Sequence, residues 1–309
     1  MEQLLYVRVS SCYGGVGPAN SIGPNEIFYA RGMLWAEFVV GSWEGRGSVL
    51  RSARSMGPKG HRAYAVGDIH GRLDLLDEIL EMIAADSEAR KAARTTVVFL
   101  GDLIDRGPHS AGVVERLRTY KPDFAKPIFL MGNHEEVLLR IMSGETDILP
   151  DWLSFGGAEC ARSYGLDPVD LECREPPAAL RLLRRAIPKD HLRFLASFED
   201  TATFGKYLFV HAGIRPGAPL AQQTAPDLRW IRDPFLADES DHGRIVVHGH
   251  TISEQVDERP NRIGLDTGAY WTGVLTAIGL EDDERWFLQT AGMRQAGSTD
   301  LVANYSMAS

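Results

Sequence analysis

The chain has 309 residues, 44% of them hydrophobic and 24% charged, enough for one large domain with a substantial core. Its net charge of −9 repels nucleic-acid backbones and anionic lipid surfaces, and no apolar run is long enough to span a bilayer, so neither nucleic acid nor membrane is an expected partner. Cys12, Cys160 and Cys173 show no paired spacing and the N-terminus lacks a basic stretch ahead of an apolar core, which argues against a disulfide framework and a secretory signal and for a cytoplasmic protein.

Residues 1–60 are dominated by glycine- and serine-rich turn sequence, and within them only "FYARGMLWAEFVV" could pack. They read as a flexible extension, with Met33 and Met56 as alternative starts. From His61 a regular pattern begins and runs to about residue 291. Short β-rich apolar runs end abruptly in glycine and polar residues: "AYAV" before Gly67-Asp68, "TTVVFL" before Gly101-Asp102, "PIFLM" before Gly132-Asn133, "YLFV" before His211, and "RIVV" before His248. Runs of this kind suit strands buried on both faces.

Helical patterns separate the first strands. Leu76, Ile79, Leu80 and Ile83 form one stripe, a second helix opens near a cap at Ser110, and "EEVLLRIM" follows Asn133-His134 directly. Strand–helix alternation predicts an α/β fold with parallel pairing. Residues of about 143–200 read as a helical insert beside the site. "GVLTAIGL-EDDE-RWFLQT" reads as a hairpin, and residues 292–309 as a tail.

Five strand ends carry ligand-type residues: Asp68 and His70, Asp102, Asn133 and His134, His211, and His250. Each alone is more simply a solvated turn, a helix cap or a satisfied histidine. Together they fall on the sheet edge where loops of α/β folds converge. Carboxylates, imidazoles and one amide, with no thiolate, suit manganese, iron or zinc. The set exceeds what one ion with open positions uses. Two ions about 3.5–4 Å apart, sharing a carboxylate and able to hold a hydroxide between them, account for it.

"GDIHG", "GDLIDRG", "GNHE", "HAG" and "VHGHT", in this order, resemble the phosphoprotein phosphatase branch of the calcineurin-like metallophosphoesterases over residues of about 62–280. "WLSFGGAECARSYG" resembles a segment that follows "GNHE" in bacterial members. The resemblance implies a layered β-sheet sandwich flanked by helices. It implies two divalent ions, manganese foremost, with Asp68, His70 and Asp102 at the first and the bridging Asp102, Asn133, His211 and His250 at the second. His134 then protonates the leaving oxygen, Asp105 orients it, and Arg106 grips the phosphoryl group. A second phosphate arginine is expected at Arg232, with Arg229 and Arg244 as alternatives. His248 is a possible further metal group. Asp266 and Tyr270 face the same edge, and His61, His109, His191 and His242 read as surface or loop residues.

The chemistry stands beside the resemblance. A guanidinium fork fits phosphoryl oxygens, and a carboxylate-braced imidazolium can protonate a leaving oxygen near neutral pH. The expected activity is hydrolysis of phosphoserine and phosphothreonine in proteins, or of small phosphate esters, by in-line attack of the bridging hydroxide. The alternative is a dinucleoside polyphosphate (diadenosine tetraphosphate) hydrolase with the same metal site. The glutamate of "GNHE" tips the reading toward phosphoproteins, because the nucleotide hydrolases tend to carry aspartate there. A third reading, a silent metal-binding scaffold, predicts a lost ligand, donor histidine or phosphate arginine, and no such position is lost.

Overall fold

The computed structural model describes residues 56–291. The readings of residues 1–55 as an extension and of 292–309 as a tail lie outside the described residues. Residues 56–60, read with the extension, are fastened to the domain: the Met56 N–H donates to Asp283, and the Gly57 N–H donates to the Asp282 carbonyl at 2.7 Å.

Among the described residues ten strands form two mixed sheets. The first has the order β10-β9-β1-β2-β3, built from β1 (His61–Val66), β2 (Arg94–Phe99), β3 (Ala125–Phe129), β9 (Thr276–Glu281) and β10 (Glu284–Gln289). Its centre is parallel, while the predicted hairpin β9–β10 adds antiparallel to β1. The second has the order β4-β5-β6-β8-β7, from β4 (Thr201–Phe204), β5 (Tyr207–Val210), β6 (Ile245–His248), β7 (Asp257–Glu258) and β8 (Arg262–Gly264). The short strands β4, β7 and β8 lack an apolar run of their own and were not legible as strands. Neighbours supply their burial.

The period-2 alternation of β1 divides two cores. Ala63 and Ala65 face the second sheet with Phe209, Val247 and Ile263, whereas Tyr64 and Val66 face the helices. The α/β sandwich of two sheets flanked by helices is therefore the observed fold. Helix α1 (Leu73–Ala89) buries the expected stripe of Leu76, Ile79, Leu80 and Ile83. In helix α2 (Ser110–Arg118) the N-cap position falls to His109, which makes no side-chain cap bond, while the Ser110 hydroxyl accepts the Asp105 N–H at 2.9 Å. Helix α3 (Asn133–Ser143) begins inside "GNHE" itself.

Between α3 and β4 the regular elements are helical: α4 (Leu149–Trp152), α5 (Ala158–Ser163), α6 (Pro168–Glu172), α7 (Pro176–Ala186) and α8 (Lys189–Leu195). They pack into the same core as α1–α3 through Trp152, Cys160, Leu180 and Leu183. His191, read as a surface residue, is instead buried on α8 between the Tyr164 hydroxyl at 2.9 Å and the Glu115 carboxylate at 3.1 Å. Helices α9 (Ala225–Trp230) and α10 (Ala269–Thr272) flank the strand ends. Among the described residues no helix is long and apolar enough to cross a membrane.

Ile79 is fully buried against both the sheet and neighbouring helices. Ile79→Ala is expected to cost about 2–5 kcal/mol in urea denaturation. A loss below about 1 kcal/mol would contradict this packing.

Candidate metal centre

The loops after β1, β2 and β3 of one sheet and after β5 and β6 of the other meet at one end of the sandwich. Six non-glycine residues of the described chain have positive φ, and five of them lie here: His70 (46°), Asp102 (49°), Asp105 (71°), Arg106 (65°) and His250 (65°). Left-handed backbone is costly for such residues and persists where the surroundings over-determine it, as at functional sites. Gly249 allows the "HGH" turn to approach Asp68, since a Cβ there would overlap the Asp68 carboxylate.

Asp102 is the hub. It is 2% exposed, and its Oδ2 lies 3.4 Å from His211 Nε2, 3.7 Å from His70 Nε2 and 3.9 Å from His134 Nε2. Its Oδ1 accepts the His134 N–H at 3.1 Å. Two triads, His70–Asp102–His134 and Asp102–His211–His250, each gather ligand atoms within 4.8 Å. Asn133 Oδ1 stands 2.9 Å from both His211 Nε2 and His250 Nδ1. Asp68 Oδ2 accepts the His250 N–H at 3.0 Å.

The donor chemistry tests whether a cation fits. His70 and His211 each donate Nδ1–H to a carbonyl, of Ile104 and Leu100, both at 2.8 Å. Their Nε2 atoms are thereby left as lone pairs pointing at Asp102. His211 Nε2, Asn133 Oδ1 and Asp102 Oδ2 are then acceptors facing acceptors. His70 Nε2, His250 Nε2 and Asp68 Oδ1 are buried without any partner. Burial holds His70 well below the usual imidazole range and lowers His250 to about 3, so both rings are neutral. Burial, reinforced by Asp266 and Asp102, pushes Asp68 well up. Buried carboxylates and imidazole lone pairs with too few donors are the arrangement a divalent cation satisfies, and the residues present fit divalent metal.

His134 belongs to a different circuit, although it sits within one triad. Its Nδ1–H donates to Asp105 Oδ2 at 2.7 Å, and the Trp152 Nε1–H donates to the same oxygen at 3.0 Å. Arg106 Nη2 lies 3.2 Å from Nε2. Burial opposes the imidazolium, but Asp102 and Asp105 outweigh it and raise His134 to about 9. Asp105 therefore pairs with His134 and Trp152 rather than with Arg106.

A cleft of about 370 Å³ opens beside the hub, lined by Arg106, Asn133, His134, Arg232 and His250 together with apolar and aromatic side chains. Of the three arginines considered, Arg229 is tied to Asp200 and Glu136 and Arg244 to the Gly205 carbonyl, leaving Arg232 in the cleft. His248 turns away from the hub, its ring against Phe235 and its Nδ1 at the Gly249 carbonyl. Tyr270 packs edge-on to His70 with the Arg106 guanidinium 5.0 Å from its ring centre. Asp266 is buried, accepts the Gly268 N–H at 2.9 Å and leaves Oδ2 unpartnered.

Two supports were missed in the sequence. Glu135 is fully buried and accepts four backbone N–H groups, from Asp102, Leu103, Ile104 and Gly132, at 2.8–3.3 Å. It staples the "GDLID" loop to "GNHE" and never meets the cleft, so it carries no information about substrate. Gly156, with φ of 111°, interrupts the insert's helix so that its carbonyl accepts the Arg106 N–H at 2.9 Å. With Trp152 it ties the helical segment to the loop that carries Asp105 and Arg106. The "WLSFGG" segment held this signal only as a resemblance, because contact across 50 residues leaves no periodicity.

The family model described as calcineurin-like phosphoesterase matches residues 61–274. A symmetrical bis(5'-nucleosyl)-tetraphosphatase of Dechloromonas aromatica (strain RCB) is 25% identical over 287 residues, covering 71% of this chain and 92% of that protein. One from Serratia proteamaculans (strain 568) is 27% identical, covering 75% and 95%. The asymmetrical bis(5'-nucleosyl)-tetraphosphatase PrpE of Halalkalibacterium halodurans is 27% identical, covering 71% and 90%. A crystal structure of a candidate diadenosine tetraphosphatase shares the fold, with a TM-score of 0.54 and 22% identity over 76% of this chain and 94% of that one. These relatives overturn the expectation of a phosphoserine/phosphothreonine protein phosphatase and of the phosphoprotein phosphatase branch. The physical reason is Glu135: the residue that tipped the reading is a buried staple.

Removing divalent metal with a chelator is expected to lower Tm and re-addition to restore it, by about 2.7 kcal/mol at a hundredfold excess over Kd. Glu135→Ala is expected to cost at least about 2 kcal/mol, since it strands four buried N–H donors. An unaltered urea midpoint would contradict the staple.

Proposed function

Because the chain belongs to the calcineurin-like phosphoesterase family, we propose that it is a metal-dependent hydrolase of dinucleoside polyphosphates, cleaving a phosphoanhydride bond. The observation that carries the reading is the run of bis(5'-nucleosyl)-tetraphosphatase relatives matched over nearly their whole length. A cleft that joins the Arg106 and Arg232 guanidiniums, among others, to an apolar wall supports it, because a polyphosphate attached to a nucleoside needs both.

Asp68, His70 and Asp102 would hold one divalent ion, and Asp102, Asn133, His211 and His250 a second, with manganese, iron or zinc suited to the set. Bound there, the ions supply Lewis acidity toward phosphoryl oxygens and lower the pKa of an attacking water. The chain's own residues do the rest. Arg106 and Arg232 line the cleft and bind the equatorial oxygens of the attacked phosphate, neutralising charge that grows in the transition state. His134 Nε2 delivers the proton to the departing phosphate oxygen. Asp105 fixes the ring through Nδ1 and keeps it charged, and Trp152 fixes Asp105. The insert thereby sets the proton donor, at one remove from the reacting atoms.

Turnover is expected on diadenosine tetraphosphate in the presence of manganese and to exceed turnover on a phosphoserine peptide. The reverse order would refute the proposal. His134→Asn is expected to retain metal while lowering kcat by roughly 10²–10⁴-fold. An unchanged kcat would remove His134 from the reaction. Trp152→Phe keeps the packing but loses the N–H to Asp105, and the expected result is a kcat reduced by roughly 10-fold with metal content intact.

A further inference from the structure

The cleft beside the metal centre has a wall that phosphate chemistry does not use. Phe155 is 69% exposed and Trp230 39% exposed, among the few large hydrophobic side chains of the described residues left open to solvent, and both line this one cleft. Val137 and Ile148 extend the apolar surface between the polar groups. Exposed aromatics gathered at one concavity mark a binding surface rather than ordinary surface scatter.

The backbone that carries each ring is fixed. Phe155 sits in the non-helical break of the insert, next to Gly156, whose carbonyl accepts the Arg106 N–H at 2.9 Å. Trp230 ends α9, and its indole N–H donates to the Glu136 carboxylate at 3.3 Å. Arg229 clamps the same turn by pairing with Glu136 at 3.1 Å and with Asp200 at 2.6 Å. Each residue is thus close along the backbone to an arginine of the cleft: Phe155 precedes Gly156, which bonds the Arg106 main chain, and Trp230 lies two residues before Arg232.

We propose that Phe155 and Trp230 form the stacking site for a nucleobase of the substrate, held next to the phosphate-binding arginines. The inference rests on the dinucleoside polyphosphate reading and adds which residues grip the nucleoside. Every base presents a π-face, and an aromatic side chain stacks on it without regard to sequence or hydrogen-bond pattern. The site therefore recognises a base as a flat ring at a fixed reach from the attacked phosphate. A phosphoserine or phosphothreonine side chain offers no such plane.

The test uses full-length, metal-loaded protein and two ligands, AMP and inorganic phosphate, measured by calorimetry alongside KM for diadenosine tetraphosphate. In Phe155→Ala and Trp230→Ala, AMP affinity is expected to fall roughly 5–150-fold and KM to rise in step, while phosphate affinity does not follow. Trp230→Phe and Phe155→Tyr, which keep a stacking ring, are expected to restore most of the loss, separating stacking from damage to α9. Equal AMP affinity in the wild type and the alanine variants would overturn the stacking site, as would wild-type AMP binding no tighter than phosphate. Absence of diadenosine tetraphosphate turnover in the wild type, with AMP binding still sensitive to both rings, would overturn the hydrolase reading alone.

Discussion

Asp102 carries the constraint on which the rest depends. It is a buried carboxylate surrounded by imidazole lone pairs and an amide oxygen, with too few donors to satisfy them. Such a cluster is unstable by itself, because buried acceptors facing one another lose water and gain nothing. It becomes favourable when divalent charge enters. The left-handed backbone at His70, Asp102 and His250 is the conformational cost of aiming these groups inward, and the two sheets hold it in place.

Around this hub the chain separates roles by burial. Ligand atoms lie in the floor where the sheets meet. His134 lies at the boundary, braced by Asp105 and Trp152. Arginines and aromatics stand in the open cleft. The insert is therefore more than a cover over the sheet. Through Trp152 and Gly156 it fixes the loop that carries Asp105 and Arg106, so a segment far along the chain sets the geometry of that loop.

Much of this was legible before any coordinates. Apolar runs ending in glycine marked β1, β2, β3, β5 and β6, and the stripe at Leu76, Ile79, Leu80 and Ile83 marked α1, because burial on a fixed face imposes a period on the chain. The ligand-type residues were legible because strand ends of this architecture converge. The strands β4, β7 and β8 were not, since two to four residues paired by their neighbours carry no pattern. Glu135 misled for a related reason: a charged residue in a site motif reads as functional, and only coordinates show that its carboxylate faces four backbone N–H groups. Trp152, Phe155 and Trp230 act through contacts between distant segments, which sequence spacing does not encode.

The central claim is that the acceptor cluster around Asp102 exists to hold divalent charge. Crystals grown with manganese and measured at its absorption edge test it directly. Two anomalous peaks are expected, both in contact with Asp102, one also touching Asp68 and His70 and the other Asn133, His211 and His250. A map at full metal occupancy with no peak at Asp102, and with these side chains satisfied by protons and water alone, would contradict the account.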